Sequence, residues 1–288
     1  MSDAGGRLVL ASDLDGTLAH GAAESRALLT DWLRARPDST LIYVTGRTPA
    51  ATRELCARVG LPEPDVLITD VGTSVLRGFG PSRVSEIEDE LERLWPGGQR
   101  VRDRLAPLAD ELSEQDVRAP RRVSYWVDAV RRMRAAAKSP DGDEFSARAV
   151  DDPSLSAEAA ALATGCAQRA RDALDGLGVD VLVSANVFLD VLPRGVHKGS
   201  TLRRVLRWLG AADEECVVAG DSLNDLALFE TGMRGISVGN CEPGLRRFVT
   251  RLPRVYQAKG EGVVGVLEGL SHFGHAPGSR MGGDEHGE

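Results

Sequence analysis

Residues 8–20, LVLASDLDGTLAH, join a short aliphatic run to two carboxylates that stand one residue apart. An apolar run that stops at a Gly-Thr turn is typical of a buried strand in a parallel sheet. Asp13 and Asp15 then lie at the carboxyl end of that strand, where open α/β sheets bind their ligands. Because side chains alternate along an extended chain, both carboxylates can point into one volume while Leu14 points into the core. Two carboxylates held so close repel each other unless a cation or a shared proton relieves them.

The composition narrows the classes of function that the chain can have. Its 288 residues suffice for one large or two ordinary domains, and 42% hydrophobic and 27% charged residues are ordinary for a globular protein. The net charge of −8 argues against a nucleic acid held through its phosphates. The sequence has no apolar run near the ~20 residues that cross a bilayer, and its first residues lack the apolar segment of a signal peptide. We expect a cytoplasmic monomer or homodimer without a membrane or nucleic-acid partner.

Cysteines and arginine clusters add no separate function to this interpretation. The four cysteines are far apart and lack the spacing of a metal site, which is typical of isolated thiols in a reduced compartment. Short arginine clusters, among them Arg121-Arg122, are interpreted as solvated helix faces.

Strands and helices alternate over the first 73 residues. The second predicted strand ends at the turn Thr45-Gly46-Arg47, and Thr48 and Pro49 suit the cap and the first turn of the helix that follows. This alternation predicts a doubly wound α/β fold. The predicted elements after the first strand are a helix at 24–36, a strand at 40–44, a helix at 49–59 and a strand at 65–69.

The pattern changes between residues 80 and 192. Alternation over 122–128, RVSYWVD, predicts a strand, and two further strands flank Ala185-Asn186, which is typical of a tight hairpin. We interpret this segment as an inserted α+β domain. Its other predicted elements are helices at 84–94, 101–112 and 157–177 and strands at 180–184 and 187–192.

The parallel pattern resumes after Pro193. Lys198 begins an amphipathic helix, KGSTLRRVLRWLG, and a strand at 215–219 leads into the polar turn GDSLND at 220–225. The remaining predicted elements are helices at 226–231 and 262–270 and strands at 235–238 and 254–256.

Four polar turns can therefore converge on the crevice at one edge of the sheet. Carboxylate oxygens suit Mg²⁺, which bridges to a phosphate, while a lysine, a hydroxyl and backbone N–H groups neutralise other phosphoryl oxygens. A free carboxylate can then attack phosphorus, and its neighbour can protonate the leaving oxygen. The groups concerned are Asp13 and Asp15, Thr45 and Gly46, Lys198, and Asp221, Asn224 and Asp225.

These turns carry a resemblance to a known superfamily. The chain resembles the haloacid-dehalogenase-like phosphohydrolases, whose four motifs stand in order as DLDGT at 13–17, VTGR at 44–47, Lys198 in HKGS, and GDSLND at 220–225. The insertion is similar to the large α/β cap of members that act on sugar phosphates. Within this group the chain resembles the sucrose-phosphatase-like family over nearly its whole length. The segments that carry this are 122–128, 188–199, 235–245 and 255–274.

The resemblance implies a Rossmann-like, doubly wound parallel sheet as the core, with an inserted α+β cap domain. We assign residues 1–79 and 193–275 to the core and residues 80–192 to the cap. The Gly-rich end at 276–288 is predicted to be a disordered tail.

The resemblance also implies a Mg²⁺-dependent phosphoric monoester hydrolase that works in two steps. Asp13 is implied as the nucleophile, and Asp15 as the acid for the leaving sugar oxygen and then the base for water. The implied phosphate-binding residues are Thr45, Gly46, Arg47 and Lys198. The implied metal site comprises Asp13, the Asp15 carbonyl and Asp221, with Asn224 and Asp225 close by.

Several of these residues also fit an ordinary structural role. Lys198 could be an exposed lysine at a helix start, and Asp225 could be a first-turn carboxylate favoured by the helix dipole. Arg47 is either a phosphate or sugar contact or one half of a surface ion pair. His197 adjoins Lys198 but has no Cys or His partner at ligand spacing.

The insertion offers candidate sugar contacts. Tyr125 and Trp126 could stack on a sugar, although alternation buries one of the two in the cap, and we take Tyr125 as the candidate. Ser184 and Asn186, beside the hairpin turn, could reach sugar hydroxyls, or they could simply be solvated.

The predicted function is thus that of a sugar-phosphate phosphatase, and a disaccharide or glycosyl-polyol phosphate such as sucrose 6-phosphate is the leading substrate. Closure of the cap would exclude water and select the sugar. A phosphomutase that uses the same turns is the nearest alternative. A non-catalytic sugar-phosphate-binding partner of a glycosyltransferase is another, and the intact set of Asp13, Asp15, Lys198 and Asp221 argues against it.

Overall fold

The structure is a computed structural model that describes residues 7–136 and 153–275. The tail predicted at 276–288 lies outside the described residues. The strands are β1 (Leu8–Ser12), β2 (Ser39–Val44), β3 (Val66–Thr69), β4 (Ser74–Arg77), β5 (Leu112–Glu114), β6 (Val123–Val127), β7 (Val179–Ser184), β8 (Phe188–Pro193), β9 (Cys216–Gly220), β10 (Arg234–Ser237) and β11 (Val255–Gln257). The helices are α1 (Ala23–Arg34), α2 (Pro49–Val59), α3 (Ser85–Leu94), α4 (Gly98–Leu105), α5 (Asp128–Ala136), α6 (Pro153–Ala173), α7 (Lys198–Leu209), α8 (Leu226–Phe229), α9 (Pro243–Val249) and α10 (Gly262–His272). Within the described ranges, no helix combines the length and the apolar character that crossing a bilayer requires.

Seven strands form the larger sheet, in the order β11-β10-β9-β1-β2-β3-β4. Its neighbours run parallel except for β3 and β4, which pair antiparallel. β1 lies between β2 and β9, so the chain order reverses on either side of it. Because a crevice opens beyond the carboxyl ends of the strands at such a reversal, Asp13, which follows β1, lies at the crevice.

Helices cover both faces of this sheet, which confirms the doubly wound α/β core. Alternation along β1 directs Leu8 and Leu10 into one hydrophobic cluster and Val9 and Ala11 into another. The first cluster includes side chains of α1, α2 and α10, and the second includes side chains of α3, α7, α8 and α9. These four apolar side chains are 0% exposed, so both clusters hold β1 in the middle of the molecule.

A second sheet forms the inserted domain, which we call the cap. Its four strands are antiparallel and run in the order β5-β6-β8-β7. Alternate side chains of β6 and β8 pack in one hydrophobic cluster with α4, α5 and α6. Ala185 and Asn186 turn the β7–β8 hairpin with left-handed φ angles of 47° and 53°. The predicted α+β character of the insertion and its hairpin are therefore confirmed.

Some elements differ from the predictions. The helix predicted at 101–112 is wrong beyond Leu105: a single 3-10 turn at Ala106–Leu108 follows, because Pro107 lacks the N–H that would continue the α-helix. Leu112 instead begins β5, a short strand at the edge of the cap sheet. The helix predicted at 157–177 begins earlier and ends earlier, as α6. The antiparallel strand β4 was not predicted.

The first helix of the predicted insertion packs on the core. Ile87 and Leu91 of α3 are buried in the second core cluster. The boundary at residue 80 remains a prediction. Because these side chains belong to the core packing, we propose that the cap begins after Leu94 and ends at Pro193.

Arg121 and Arg122 correct another prediction. They lie just before β6, outside any helix, and they are only 4% and 8% exposed. Arg121 pairs with Glu88, and its Nε donates a hydrogen bond of 2.9 Å to the Thr73 carbonyl. The prediction of a solvated helix face is wrong, because acceptors of the core surround these guanidinium groups.

Two glycines inside helices should respond in opposite ways to alanine. A Cβ at Gly269 of α10 would lie 2.5 Å from Ile236, whereas one at Gly165 of α6 would meet only the end of the Arg169 side chain, at 3.5 Å. We expect Gly269→Ala to lower the free energy of unfolding by about 1–3 kcal/mol through overpacking. Gly165→Ala should raise it by about 0.5–1 kcal/mol, because alanine favours a helix. Thermal unfolding of both variants measures the signs, and a stabilising Gly269→Ala would contradict the close packing of α10 on β10.

Candidate active site

The loop after β1 is pressed against the loop after β9. Gly16 has a φ of 72°, and a Cβ there would lie 2.2 Å from Oδ2 of Asp221. Glycine therefore lets the first acidic turn approach the second. Thr17 Oγ1 donates a hydrogen bond of 3.0 Å to Oδ1 of Asp221 across a separation of 204 positions in the chain.

Lys198 occupies the centre of the site, with its side chain 1% exposed. Its ammonium donates to Oδ1 of Asp13 at 2.7 Å, to Oδ1 of Asn224 at 2.7 Å and to Oδ1 of Asp225 at 2.6 Å. The three N–H bonds of the ammonium are thus all used. Although Lys198 begins α7, this burial excludes the alternative of an exposed lysine at a helix start.

Neighbouring groups fix the start of α7. The Nδ1 atom of His197 accepts from the N–H of Ser200 at 3.2 Å, and Ser200 Oγ accepts from the N–H of His197 at 3.0 Å. Burial lowers the pKa of His197, which favours the neutral ring that this bond requires. A Cβ at Gly199 would lie 1.9 Å from the Ala227 carbonyl oxygen, so α7 lies directly on α8. His197 therefore caps the helix that positions Lys198.

Asp225 orders the loop that carries Asp221. Its Oδ2 accepts from the backbone N–H groups of Asp221 and Ser222, both at 3.1 Å, while its Oδ1 accepts from Lys198. The residue is 0% exposed. Both oxygens of Asp225 are thus engaged within the chain, which favours a positioning role.

Three carboxylates converge beside the ammonium. Oxygens of Asp13, Asp221 and Asp225 all lie within 4.8 Å of one another. Among the described residues, no hydrogen bond uses Oδ2 of Asp13 or Oδ2 of Asp221. Hard oxygens of this kind suit Mg²⁺. Of the predicted ligands, Asp13 and Asp221 keep an open oxygen, whereas Asn224 and Asp225 hold Lys198.

Burial and like charge shape the titration of this cluster. Burial, followed by the Asp225 carboxylate, raises the pKa of Asp13 well above its ordinary value, and Lys198 opposes the shift. Burial and Asp225 also raise the pKa of Asp221 to about 7. Burial alone would lower the pKa of Lys198, but the Asp13 and Asp225 carboxylates outweigh it and raise this pKa. The cluster therefore holds more negative charge than Lys198 neutralises, and a divalent cation would relieve it.

Thr45, Gly46 and Arg47 follow β2 at the same edge of the sheet. Thr45 is 1% exposed, and its Oγ1 accepts from the N–H of Arg47 at 3.1 Å. Because the hydroxyl oxygen accepts this bond, its proton remains available to a phosphoryl oxygen. Thr48 caps α2 as predicted and accepts from the N–H of Ala51 at 3.3 Å. A hydroxyl and backbone N–H groups beside a helix N-terminus suit an anion.

Arg47 pairs with Asp15 at the mouth of the site. Two parallel hydrogen bonds of 2.6 and 2.7 Å join the guanidinium to the carboxylate, and they raise the pKa of Arg47. The two side chains are 35% and 52% exposed. Arg47 is therefore one half of an ion pair, as one alternative expected, and its partner is the second acid of the first motif. Such an exposed pair adds little stability and can exchange for a ligand.

Asn240 contacts the site although it was not among the predicted site residues. Its Nδ2 donates to the Gly16 carbonyl at 2.8 Å, and its Oδ1 accepts from the N–H of Gly262 at 2.8 Å. Asn240 thus ties the first acidic loop to the start of α10. Its place shortly after β10 was the available signal, because the other site residues also follow strands.

The candidate sugar contacts of the cap lie on opposite faces of its sheet. Tyr125 is 6% exposed and packs in the cap cluster against the helices, so its assignment as a sugar contact is corrected. Alternation directs the half-buried Trp126 to the opposite face, where its ring centroid lies 4.8 Å from that of Phe188. Ser184 pairs with Phe188 and shares this face, and Asn186 lies in the hairpin turn. Contacts of Ser184 and Asn186 with a sugar remain a prediction.

A groove of about 500 Å³ lies between the cap and the core. Thr48, at the start of α2, lines one side, and Asp116, Arg118 and Pro120 of the cap line the other. Since Thr48 adjoins Arg47 in the chain, the groove leaves room near the mouth of the site for a ligand larger than phosphate.

The fold and the site together define a haloacid-dehalogenase-like hydrolase with a cap. Its acidic loops, its threonine turn and its buried lysine meet at one edge of a parallel sheet, in the order of that superfamily's motifs. A model of the Sucrose-6F-phosphate phosphohydrolase family matches residues 6–138 and 159–274. The chain belongs to this family.

Known proteins with similar sequences or structures agree with this assignment. The chain is 33% identical over 267 residues to a Glucosylglycerol-phosphate synthase of Pseudomonas anguilliseptica, a match that covers 93% of this chain but only 31% of the synthase. It is 28% identical over 276 residues to the Mannosylfructose-phosphate phosphatase of Agrobacterium fabrum, covering 93% of this chain and 98% of that protein. The X-ray structure of the Sucrose-Phosphatase from Synechocystis sp. PCC6803, in complex with sucrose and phosphate, matches with a TM-score of 0.71 and 27% identity, over 93% of this chain and 98% of that one.

Lys198→Met should destabilise the fold more at high pH than at low pH. Removing one partner of a buried ion pair costs about 3–5 kcal/mol. Lys198 opposes the rise in the pKa of Asp13, so its removal should raise that pKa further. A carboxyl group with a raised pKa in the folded protein keeps a proton that the unfolded chain releases, so the stability of the variant falls more steeply than that of the wild type as the pH rises. We expect a larger loss of thermal stability at about pH 8 than at about pH 5.

Lys259→Met is the matched control, because Lys259 is exposed and its removal should change the melting temperature little at either pH. A loss of equal size at both pH values in Lys198→Met would contradict the role of Lys198 as the cation of this cluster.

Proposed function

We propose that this chain is a Mg²⁺-dependent phosphatase that hydrolyses the phosphate ester of a glycoside through an aspartyl-phosphate on Asp13. The observation that carries the proposal is the buried contact of Lys198 with both Asp13 and the loop after β9. It brings a nucleophile, an ammonium and carboxylate ligands to one point of the crevice. Membership of the family and the similarity to a sucrose-phosphatase that binds sucrose and phosphate support the same chemistry.

In the first step, an oxygen of Asp13 attacks phosphorus. An ionised carboxylate needs no activating base; Lys198 opposes the burial that raises the pKa of Asp13, and a bound cation would favour the ionised form further. The bond between phosphorus and the leaving sugar oxygen breaks as the bond to Asp13 forms. Asp15 donates a proton to that oxygen, so the sugar departs as a neutral alcohol.

In the second step, water attacks the phosphorus of the aspartyl-phosphate, and Asp15, now ionised, accepts a proton from this water. The bond between phosphorus and Asp13 breaks, which releases inorganic phosphate and restores the carboxylate. Asp15 must part from Arg47 to serve in both steps, and it acts as the acid only after it has taken up a proton from solvent. Because this pair is partly exposed, an arriving substrate can replace it at little free-energy cost.

The chain supplies donors for the phosphoryl oxygens around Asp13. We assign this role to the Thr45 hydroxyl, the N–H of Gly46 and Lys198, joined by Arg47 once it leaves Asp15. The bond from Lys198 to Asn224 is only partly buried, so it is the bond that can exchange for a phosphoryl oxygen. Donors held in place before the substrate arrives stabilise the transition state most effectively.

Mg²⁺ is the cofactor we infer, with Asp13, the Asp15 main-chain carbonyl and Asp221 as its protein ligands. When bound, it would offset the negative charge of the phosphoryl oxygens. The spacing of the carboxylates and the raised pKa values of Asp13 and Asp221 support a cation at this point. Asn224 and Asp225 accept hydrogen bonds from Lys198 and so keep its ammonium beside the metal site.

The substrate class we infer is a phosphorylated glycoside in which a glycosyl unit is joined to a second sugar or polyol. The names of the family and of two relatives support it, since they refer to the phosphates of sucrose, mannosylfructose and glucosylglycerol. The ring of Trp126 beside Phe188 offers an apolar surface of the kind on which a sugar ring stacks.

The test is a panel of phosphorylated mono- and disaccharides and glucosylglycerol phosphate, assayed for phosphate release with Mg²⁺. A disaccharide or glycosyl-polyol phosphate should give the highest kcat/KM. A preference for a monosaccharide phosphate would contradict the substrate class but not the phosphatase chemistry.

Two other functions give different results in this assay. A phosphomutase would return the phosphate to its product and release none. A sugar-phosphate-binding module of a larger synthase, suggested by the match to 31% of a Glucosylglycerol-phosphate synthase, would bind without turnover. The buried contact between Asp13 and Lys198 favours catalysis, because a binding module does not require a nucleophile.

Asp13→Asn should abolish phosphate release while the fold remains intact. Asparagine keeps the shape of the side chain but removes the nucleophilic charge, so activity should fall below about 1% of the wild type. Phosphate release measures the loss, and circular dichroism checks the fold. Asp31→Asn, at an exposed position of α1, is the control and should keep full activity. Hydrolysis by Asp13→Asn well above that level would count against a covalent step on Asp13.

Mg²⁺ should stabilise the protein more at high pH than at low pH. The pKa of Asp221 is about 7 without an ion, so below that pH a proton competes with the metal for its carboxylate. The rise in Tm on adding Mg²⁺ should therefore grow between about pH 6 and about pH 8. Asp221→Asn should lessen this growth, and what remains would come from Asp13, whose pKa is also raised. A Tm rise that is the same at both pH values in the wild type would contradict Asp221 as a ligand.

A further inference from the structure

We propose that Arg122 is a positioning residue that ties the cap to the loop that binds the phosphoryl group. This inference rests on the proposed function, because that function places the phosphoryl group at Thr45 and Gly46. Arg122 lies in the cap, immediately before β6, yet its guanidinium reaches into the core.

The guanidinium of Arg122 bridges the two domains. Its Nη1 donates to the Gly46 carbonyl at 3.0 Å, and its Nη2 donates to Oδ1 of Asp70 at 3.1 Å. Nη1 also lies 3.9 Å from Oδ1 of Asp190 in β8. Gly46 and Asp70 belong to the core and Asp190 belongs to the cap, so one side chain contacts both.

The bond to the Gly46 carbonyl fixes the Thr45 hydroxyl indirectly. In a trans peptide, the carbonyl of Gly46 and the N–H of Arg47 point in opposite directions, and the described chain has no cis peptide. With the carbonyl held by Arg122, the N–H of Arg47 donates to Thr45 Oγ1 at 3.1 Å. Without Arg122 this peptide can rotate, and the hydroxyl loses the bond that directs its proton toward the phosphoryl group.

Asp70 anchors the other half of the guanidinium on a strained turn. Asp70 and Val71 have φ angles of 53° and 62°, in the left-handed region that residues other than glycine rarely adopt. The N–H of Asp70 donates to the Arg47 carbonyl at 2.9 Å, and the N–H of Val71 donates to the Thr45 carbonyl at 3.2 Å. The second bond orients the peptide that carries the N–H of Gly46. Arg122 therefore supports the loop of Thr45 and Gly46 both directly, at the Gly46 carbonyl, and through Asp70.

Stability alone accounts poorly for this arrangement. Burial raises the pKa of Asp70 to about 6 and also raises the pKa of Asp190, although Arg122 opposes both shifts. The buried Nε of Arg122 has no hydrogen-bond partner among the described residues. Buried ion pairs contribute little net stability on average. The contact with Gly46 therefore points to a role in the reaction.

The main test compares Arg122→Met, which removes every donor, with Arg122→Lys, which keeps the charge. Arg122→Met should lower kcat roughly 10–100-fold toward both a sugar phosphate and p-nitrophenyl phosphate, as expected when donors around a reacting group are misplaced. The two substrates share only the phosphoryl group, so a loss on both locates the effect there. Arg122→Lys should recover part of kcat, because one ammonium can reach the Gly46 carbonyl or Asp70 but not both.

Two further variants separate positioning from folding. Arg102→Met is the matched control, because Arg102 pairs with Glu114 on the surface of the cap and its loss should leave kcat unchanged. Asp190→Asn removes the negative charge that the cap places 3.9 Å from Arg122 without removing Arg122 itself, and it should lower kcat in the same direction by a smaller factor. This variant keeps the inference testable if Arg122→Met does not fold.

The results that would overturn the inference are distinct from those that would overturn the proposed function. A kcat for Arg122→Met within about twofold of the wild type on both substrates, or a loss confined to the sugar phosphate, would overturn the role of Arg122. Calorimetry with inorganic phosphate tests it without turnover: binding should weaken in Arg122→Met, and equal affinity would overturn it. A wild-type protein that releases no phosphate from any substrate would instead overturn the proposed function.

Discussion

One buried ammonium holds the two acidic loops of this protein together. Carboxylates as close as those of Asp13 and Asp225 repel each other, and Lys198 between them supplies the positive charge that keeps both at hydrogen-bond distance. Burying an ammonium is itself unfavourable by several kcal/mol unless its N–H bonds are satisfied, and here all three are. The positions of the other acidic residues at this edge of the sheet depend on this ammonium. Asp225, which Lys198 holds, accepts a hydrogen bond from the backbone N–H of Asp221, and Asp221 in turn packs against Gly16.

The convergence of Asp13, Lys198 and Asp221 is predictable from the sequence because each follows a parallel strand or begins a helix beside one. The carboxyl ends of parallel strands lie at a single edge of the sheet, so residues that follow different strands are expected to lie close together. The doubly wound core and the hairpin at Ala185-Asn186 are predictable for a related reason. Periods of two and of about 3.6 residues, and the residues at turns, are properties of the local sequence.

Other features depend on tertiary contacts that the local sequence does not encode. Alternation shows that Tyr125 and Trp126 face opposite sides of β6, but packing against α4, α5 and α6 decides which side is buried. Arg121 and Arg122 resemble surface residues in the sequence, because their acceptors lie on distant segments of the core. The sequence shows Asp225 as one more acid of the cluster, and only the folded loop shows that both of its oxygens accept hydrogen bonds within the chain.

The contacts at the two ends of the expected substrate differ in their exposure to solvent. At the phosphoryl end, Thr45 and Lys198 are each 1% exposed, and their hydrogen bonds fix them before any ligand arrives. At the other end, the pair of Arg47 and Asp15 is open to solvent, and the candidate sugar face around Trp126 is half-buried. Buried contacts hold one geometry, whereas exposed polar contacts change partners at little free-energy cost. In the proposed function, the chemistry at phosphorus is thus separated in space from the recognition of the sugar, and Arg122 is the contact that we propose links the cap to the loop of Thr45 and Gly46.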